Sequence, residues 1–185
     1  MSNYGARLRA HAGEYDFSFL GGYFDGRGVA GGDLAGNLGK MGIRGEILVS
    51  GIGQQAPAAF VKYIVGIDHQ LTPELYALVE YQFNGQGTGD RDAYDFEALY
   101  RGEILNVARH YLAVSGSYLV HPLVTLTAMG TLNFDDGSQF YAGTVSYSAT
   151  DNLVLGLGLQ AFVADAGDEF WYYPGAAYLK LEYYF

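Results

Sequence analysis

Apolar and polar residues alternate with a period of two through most of this chain. The segment Asn152–Ala164 is the clearest case. One side of it is continuous hydrocarbon, formed by Leu153, Leu155, Leu157, Leu159, Ala161 and Val163. The other side is small or polar, formed by Val154, Gly156, Gly158, Gln160 and Phe162. Because consecutive side chains of a β-strand point to opposite faces of a sheet, the pattern predicts a strand with two unlike faces.

Nine further segments alternate in the same way, and glycines weaken the pattern in only one of them, Arg27–Gly36. The others are Glu14–Phe24, Met41–Gly51, Phe60–Leu71, Leu75–Asn84, Ala108–Val120, Leu123–Phe134, Ser138–Ala149 and Trp171–Phe185. In every segment the apolar face carries no Asp, Glu, Lys or Arg. A charge at the lipid midplane costs about 2–4 kcal/mol for Arg or Lys, so this exclusion predicts that lipid contacts the apolar face.

The connections between the segments alternate between two kinds. Tight turns fall at 37–40, 72–74, 121–122 and 150–152, and more variable loops fall at 51–58, 85–107, 135–137 and 165–170. Short turns on one side and longer loops on the other are typical of transmembrane barrels, whose short turns are periplasmic. We therefore predict an all-β fold, a single transmembrane antiparallel up-and-down β-barrel domain over residues 1–185 with an extracellular loop at 85–107.

The number of strands is predicted to be about ten. Asn3–Ala12 also alternates, but an eleventh strand would make the count odd, whereas bacterial single-chain barrels have even counts. Residues 1–13 are therefore assigned to an N-terminal arm or a partial strand. Twelve strands is the alternative, if 85–107 hides another. Helical spacing between Tyr94 and Leu105 predicts a short helix in that loop, either across the barrel mouth or on the surface.

The last eight residues resemble the terminal assembly signal of bacterial outer-membrane proteins. They read Tyr-Leu-Lys-Leu-Glu-Tyr-Tyr-Phe, and the matching positions are Leu179, Leu181, Tyr183 and Phe185. Lys180 stands where that signal usually has glycine, and Tyr178 stands where it has a polar residue. The resemblance implies recognition by the barrel-assembly machinery and a location in the bacterial outer membrane. The N-terminal residues, which begin Met1-Ser2-Asn3, have no basic segment followed by an apolar one, so this chain is expected to lack a signal peptide and to be a mature or recoded form of an envelope protein.

Other stretches resemble those of porin-like proteins of an uncharacterised family: 44–46 (RGE), 76–87, 108–126 and 133–140. These stretches are structural more than chemical, so they say little about substrate. We predict a porin-like passive pore for water and small ions through a narrow charged lumen. The alternative is a closed structural or scaffold barrel, a trimmed or engineered form of a larger parent, with no transport activity.

Ten charged residues are predicted to face the lumen. They are Asp16, Asp33, Arg44, Glu46, Lys62, Asp68, Glu80, Arg109, Lys180 and Glu182. Two interpretations are open. The charges pair across strands and form a polar core, because unpaired buried charges are costly, or they line a water-filled pore and tune its ion selectivity.

Composition excludes several functions. The chain has no cysteine and a net charge of −10, which exclude disulfides and thiolate metal sites and argue against nucleic-acid binding. His69 and His110 fall on the apolar face, and no Ser-His-Asp arrangement emerges, so we predict no enzyme, no cofactor and no metal. The loop acids, among them Asp168 and Glu169, are predicted to be solvated. Lipid or detergent is the expected partner, aromatic residues near strand ends are expected to form interfacial girdles, and the oligomeric state stays open.

Overall fold

A single antiparallel sheet accounts for nearly all regular structure in the computed structural model, which describes residues 2–52 and 59–185. Its eleven strands pair strictly in chain order. They are β1 (Tyr4–Ala12), β2 (Tyr15–Phe24), β3 (Arg27–Leu38), β4 (Met41–Ile52), β5 (Phe60–Gln70), β6 (Leu75–Asn84), β7 (His110–His121), β8 (Val124–Asn133), β9 (Gln139–Thr150), β10 (Leu153–Val163) and β11 (Ala176–Tyr183). The predicted all-β up-and-down class is confirmed.

Turn chemistry fixes the hairpins. Between β2 and β3, Asp25 and Gly26 both have positive φ, at 49° and 81°. Asp-Gly in this conformation is the preferred two-residue hairpin loop, since its backbone twist matches that of the strands. Gly13 and Gly39 take the same left-handed region at φ 61° and 66°, in the turns after β1 and β3.

At the other end of the chain, β11 begins at Ala176 rather than at Trp171 as predicted. Pro174 precedes it and has no N–H to donate to a neighbouring strand.

The strand count differs from the prediction, because residues 2–52 and 59–185 form eleven strands rather than ten or twelve. The extra one is β1, which pairs with β2 along its whole length, from Tyr4 opposite Tyr23 to Ala12 opposite Tyr15. Residues 4–12 are therefore a full strand rather than an arm, because backbone pairing and an ion pair of Arg7 hold them in register. Residues 85–107, all of them described, contain no strand.

The sheet curls into a barrel. Arg7 on β1 and Gln82 on β6 line one cavity of about 510 Å³. Strands lie about 4.8 Å apart, so these residues would be about 24 Å apart in a flat sheet. A shared cavity of this size requires strong curvature. Within the described residues, however, β1 and β11 pair only with β2 and β10, so the sheet keeps two edges.

The two faces of the curled sheet differ as the alternation predicts. The outer face of all eleven strands carries no Asp, Glu, Lys or Arg in the described residues. Its aromatic side chains cluster near the strand ends. At the long-loop end, Tyr63 stacks on Phe83 with ring centroids 5.1 Å apart, and the Tyr81 hydroxyl lies 2.6 Å from Nδ1 of His110. Amphipathic rings at this height suit a lipid–water interface.

The longest described loop joins β6 to β7 and is partly helical. It contains a 3₁₀ turn (Arg91–Ala93) and a five-residue helix, α1 (Phe96–Tyr100). Asp95 caps α1 by accepting a hydrogen bond from the Ala98 amide at 2.8 Å. Among the described residues, no helix has the length and apolar character needed to cross a membrane.

Candidate functional site: the lumen and its loop-covered mouth

The inner face of β2–β6 carries most of the charge of the barrel. Near the short-turn end it borders a cavity of about 630 Å³. The charged residues lining this cavity are Glu14, Asp16, Arg44, Glu46, Asp68 and Glu80. Five of them are acidic and one is basic, so the formal charge of the lining is negative.

Arg44 neutralises part of this charge. Its Nη2 lies 2.6 Å from Oδ1 of Asp68 and 3.5 Å from the Tyr76 hydroxyl, so the contacts reach from β4 across β5 to β6. Gly42 and Gly66 make the room, since a Cβ at either position would meet the Asp68 carboxylate or the Arg44 and Glu80 side chains. The Arg44 side chain of this ion pair is about half-exposed, as expected for a wall that contacts water rather than for a dry core.

A second charged group lies higher in the lumen. The guanidinium of Arg7 contacts Asp33 at 2.7 Å and Ser18 Oγ at 2.9 Å, and Ser18 in turn donates a hydrogen bond to Asp33. Lys62 lines the same cavity of about 510 Å³, with its ammonium 5.4 Å above the Phe60 ring. Glu46 and Ile64 border both cavities, so the two cavities lie next to each other.

The opposite wall has a different chemistry. In the described residues, the inner face of β7–β10 has no charged side chain and presents hydroxyl, small and apolar groups. Ser115, Ser117, Thr127 and Thr144 border a cavity of about 420 Å³, together with Tyr178 of β11. The lumen is therefore charged on one wall and neutral on the other.

Nine of the ten charged residues predicted for the lumen lie on inner positions of strands, and Arg109 is the exception. Lys180 and Glu182 pair with each other along β11, at 2.9 Å. Asp16 and Glu80 line the cavity of about 630 Å³ near the short-turn end, the lower cavity. Arg109 departs from the prediction: it precedes β7, and its Nε donates to the Gly87 carbonyl at 2.9 Å. Asp33 belongs to the ion pair with Arg7, a residue that the sequence analysis left in the N-terminal arm.

The positions of the proposed assembly signal follow the same alternation. Leu179, Leu181 and Tyr183 lie on the outer face of β11 and are highly exposed, while Phe185 follows the strand and is fully exposed.

A polar cluster at the long-loop end was missed by sequence reasoning. Glu169, in the loop before β11, is only 3% exposed. Its carboxylate accepts hydrogen bonds from the Tyr111 hydroxyl at 2.8 Å, the Asn133 side-chain amide at 2.9 Å and the Val107 backbone N–H at 3.1 Å. The prediction that Glu169 and its neighbour Asp168 are solvated is wrong, because the loops fold over the mouth and bury both.

Further contacts hold the loops together over the mouth. Asp168, also 3% exposed, forms an ion pair with Arg91 of the β6–β7 loop at 2.8 Å. The Phe96 ring of α1 packs against Tyr172 with centroids 5.3 Å apart. Alternation carries no information about these loops, so the sequence offered only the helical spacing at 94–105 as a signal.

Burial controls the charge state of Glu169. Loss of solvation raises its pKa above the ordinary value, and the Asp136 carboxylate adds to this, whereas the three donated hydrogen bonds act in the opposite direction. No group of histidine and acidic residues suited to a metal ion occurs in the described part of the chain.

Comparisons with known proteins support the fold. No protein-family model matches the chain, and no curated protein matches it. A solved structure of the NanC porin aligns with 99% of this chain and 94% of its own, at 12% identity and a TM-score of 0.48. The outer membrane channel DcaP of Acinetobacter baumannii aligns with 96% of this chain, at 15% identity and a TM-score of 0.52. This chain spans 59% of the DcaP chain.

The class of protein follows from the fold. Eleven antiparallel strands paired in chain order within the described residues, together with the likeness to DcaP, define an all-β, up-and-down, porin-like fold. At 15% identity the likeness concerns the fold alone.

Proposed function

We propose that this chain is a passive, porin-like channel of the bacterial outer membrane, which admits water and small cations through a narrow charged lumen. The observation that carries the proposal is the pair of adjacent cavities, of about 630 and 510 Å³, which are lined by charged side chains while the outer face is not. Because the charged side chains that line these cavities are about half-exposed, we expect the cavities to hold water rather than packed side chains.

Three further observations support the location. The outer face excludes charge, aromatic side chains lie near the strand ends, and the C-terminal residues alternate like an assembly signal. DcaP, which shares the fold, is an outer membrane channel. On this proposal, the barrel-assembly machinery inserts the chain, and lipid covers the outer face.

The test is conductance in a planar bilayer with a salt gradient across it. Because five acids face one arginine in the lower cavity, we expect discrete current steps and a reversal potential on the cation-selective side. Glu46→Lys should move the reversal potential toward anions. Glu74→Gln, which removes one charge from an exposed turn outside the cavities, is the matched control and should leave the potential unchanged.

A second candidate is a closed structural barrel. The buried contacts of Glu169 and Asp168, which hold loops over the long-loop mouth, favour it. A protein that inserts into vesicles and shifts its gel mobility on boiling, yet gives no current steps in the bilayer, would support this candidate and overturn the channel.

A further inference from the structure

The uncharged wall of the lumen carries a row of hydroxyl groups. Inner positions that lie directly opposite one another in the strand registers run from β6 to β11: Tyr76, Ser117, Thr127, Thr144, Gly158 and Tyr178. All of them except the glycine have a side-chain hydroxyl. Because residues paired in register face the same side of a sheet, these side chains follow one another across the wall at about 4.8 Å, the spacing of neighbouring strands.

The one glycine of the row makes room for an aromatic ring. A Cβ at Gly158 would collide with the ring of Tyr178, so this ring lies across β10 toward β9. Its hydroxyl comes within 3.2 Å of Oγ1 of Thr144 on β9. Tyr178 is 49% exposed, so the ring is accessible to a solute in the lumen.

The row borders the cavity of about 420 Å³ described above, which is within the range of small-molecule sites, about 300–1,000 Å³. Ser115, Met129 and Ala142 also line it, and none of the described residues in its lining is charged. An ion would lose part of its hydration there without a charged partner, which is costly. A neutral polar solute can instead exchange its hydrogen bonds with water for hydrogen bonds with the hydroxyls.

Several of these hydroxyls are available to a ligand. Thr144 and Tyr178 contact each other, and the Tyr76 hydroxyl lies 3.5 Å from Nη2 of Arg44. The hydroxyls of Ser117 and Thr127 have no side-chain or backbone partner within the described residues. Each hydroxyl offers one donor and two acceptor positions, so the row can serve several hydroxyl groups of one solute.

The same cavity also offers apolar contact. Met129 is 43% exposed, and the Tyr178 ring has an electron-rich face that attracts C–H groups. Hydroxyl groups alternating with C–H surface are the chemistry of a sugar. A solute without hydroxyls, or one with a net charge, matches only part of this wall.

We propose that the wall formed by β6–β11 binds a neutral, polyhydroxylated solute of the carbohydrate class, about the size of a mono- or disaccharide. Ser117, Thr127 and Thr144 hydrogen-bond the hydroxyls of the solute, and the Tyr178 ring packs against its C–H face. The role of this solute as a transported substrate rests on the channel function proposed above.

Saturation-transfer NMR tests the proposal, because it detects weak binding and requires no current. The full-length protein is held in lauryldimethylamine oxide micelles, since a detergent with a sugar headgroup would compete. The probe is maltose, and the comparison probe is triethylene glycol dimethyl ether, a neutral solute without hydroxyls. Thr127→Val and Thr144→Val each remove one hydroxyl and keep a β-branched side chain. Thr131→Val makes the same change on the inner face of β8, outside the cavity, and is the matched control.

Maltose should receive saturation from the unmodified protein, and the ether should receive far less at the same concentration. Each of Thr127→Val and Thr144→Val should weaken maltose binding about two- to tenfold, the effect of one lost hydrogen bond. Thr131→Val should bind maltose as the unmodified protein does. Gel mobility with and without boiling establishes that each variant is folded. Equal transfer to both probes, no transfer to maltose, or the same loss in Thr131→Val as in Thr127→Val would overturn the proposal.

Binding and conductance fail independently. A protein that binds maltose but gives no current steps retains the carbohydrate site and loses the channel. A protein that conducts ions but transfers no saturation to maltose retains the channel and loses the carbohydrate site.

Discussion

Replacement of Glu169 by alanine should release the loops that cover the mouth. The substitution removes an acceptor shared by three donors, namely Tyr111, Asn133 and the Val107 amide. Asn133 keeps the Tyr94 hydroxyl as a partner, at 3.3 Å. The Tyr111 hydroxyl and the Val107 N–H are left without an acceptor in a buried position.

The magnitude follows from these two donors. Each buried polar group left without a partner costs about 1–3 kcal/mol, so the closed arrangement of the loops should lose roughly 2–6 kcal/mol. The equilibrium for opening should therefore shift by a factor of about 30 to 3 × 10⁴.

Hydrogen exchange measures this shift. In micelles, the amide of Val107 should exchange faster in Glu169→Ala by the factor given above, while amides in the middle of β4 or β9 stay unchanged. Glu103→Ala is the control, because Glu103 lies in the same loop but is exposed and contacts only Arg101. Unchanged protection of Val107 in Glu169→Ala would refute the idea that this carboxylate holds the loops.

The same contacts should make the loops sensitive to pH. Since burial raises the pKa of Glu169, the closed arrangement binds a proton more tightly than the open one. Its stability is therefore greatest below the ordinary value near 4.5 and falls as the pH rises through the raised pKa. Protection of Val107, corrected for intrinsic exchange, should fall across that window. Glu169→Gln should abolish the dependence on pH.

Three further predictions concern the outer face, the packing of the inner face and the C-terminal residue. Leu157→Arg places a charge on the outer face near the middle of β10 and should lower the free energy of unfolding in bilayers by about 2–4 kcal/mol. Gln160→Arg, on the inner face, should lower it far less. Denaturant titration of both variants in vesicles measures the difference. Gly158→Val puts a side chain where the Tyr178 ring lies and should destabilise the barrel by roughly 1–3 kcal/mol, and adding Tyr178→Ala should restore stability in the same titration. Phe185→Ala should slow insertion by purified assembly machinery and leave spontaneous folding in detergent unchanged, and an equal effect on both would contradict a signalling role.

Alternation predicted the strands well because consecutive side chains of a strand point to opposite faces of the sheet. Spacing and the positions of the charges together indicated the inner face that Asp16, Arg44, Glu46 and Lys62 occupy. Residue spacing does not predict the placement of side chains at strand ends. Arg109 has the spacing of an inner residue but lies one position before β7, where a loop contact with Gly87 takes over.

Features that depend on distant contacts could not be predicted. Glu169 is buried by residues 58 and 36 positions away in the sequence, Tyr111 and Asn133, and nothing local marks it. The first strand was discounted because even strand counts are usual. Its alternation was visible, but the pairing that fixes it, between Arg7 and Asp33, spans three strands and appears only in the folded sheet.

The unequal walls of the lumen have a consequence for any molecule long enough to touch both. Carboxylates and their paired bases lie along β2–β6, and uncharged hydroxyls lie along β7–β10. On the channel function proposed above, this difference would produce an electric field across the barrel, perpendicular to the direction of passage. A solute with a cationic edge and a hydroxyl-rich edge would then travel in one rotational orientation, with its charged side turned to β2–β6 throughout.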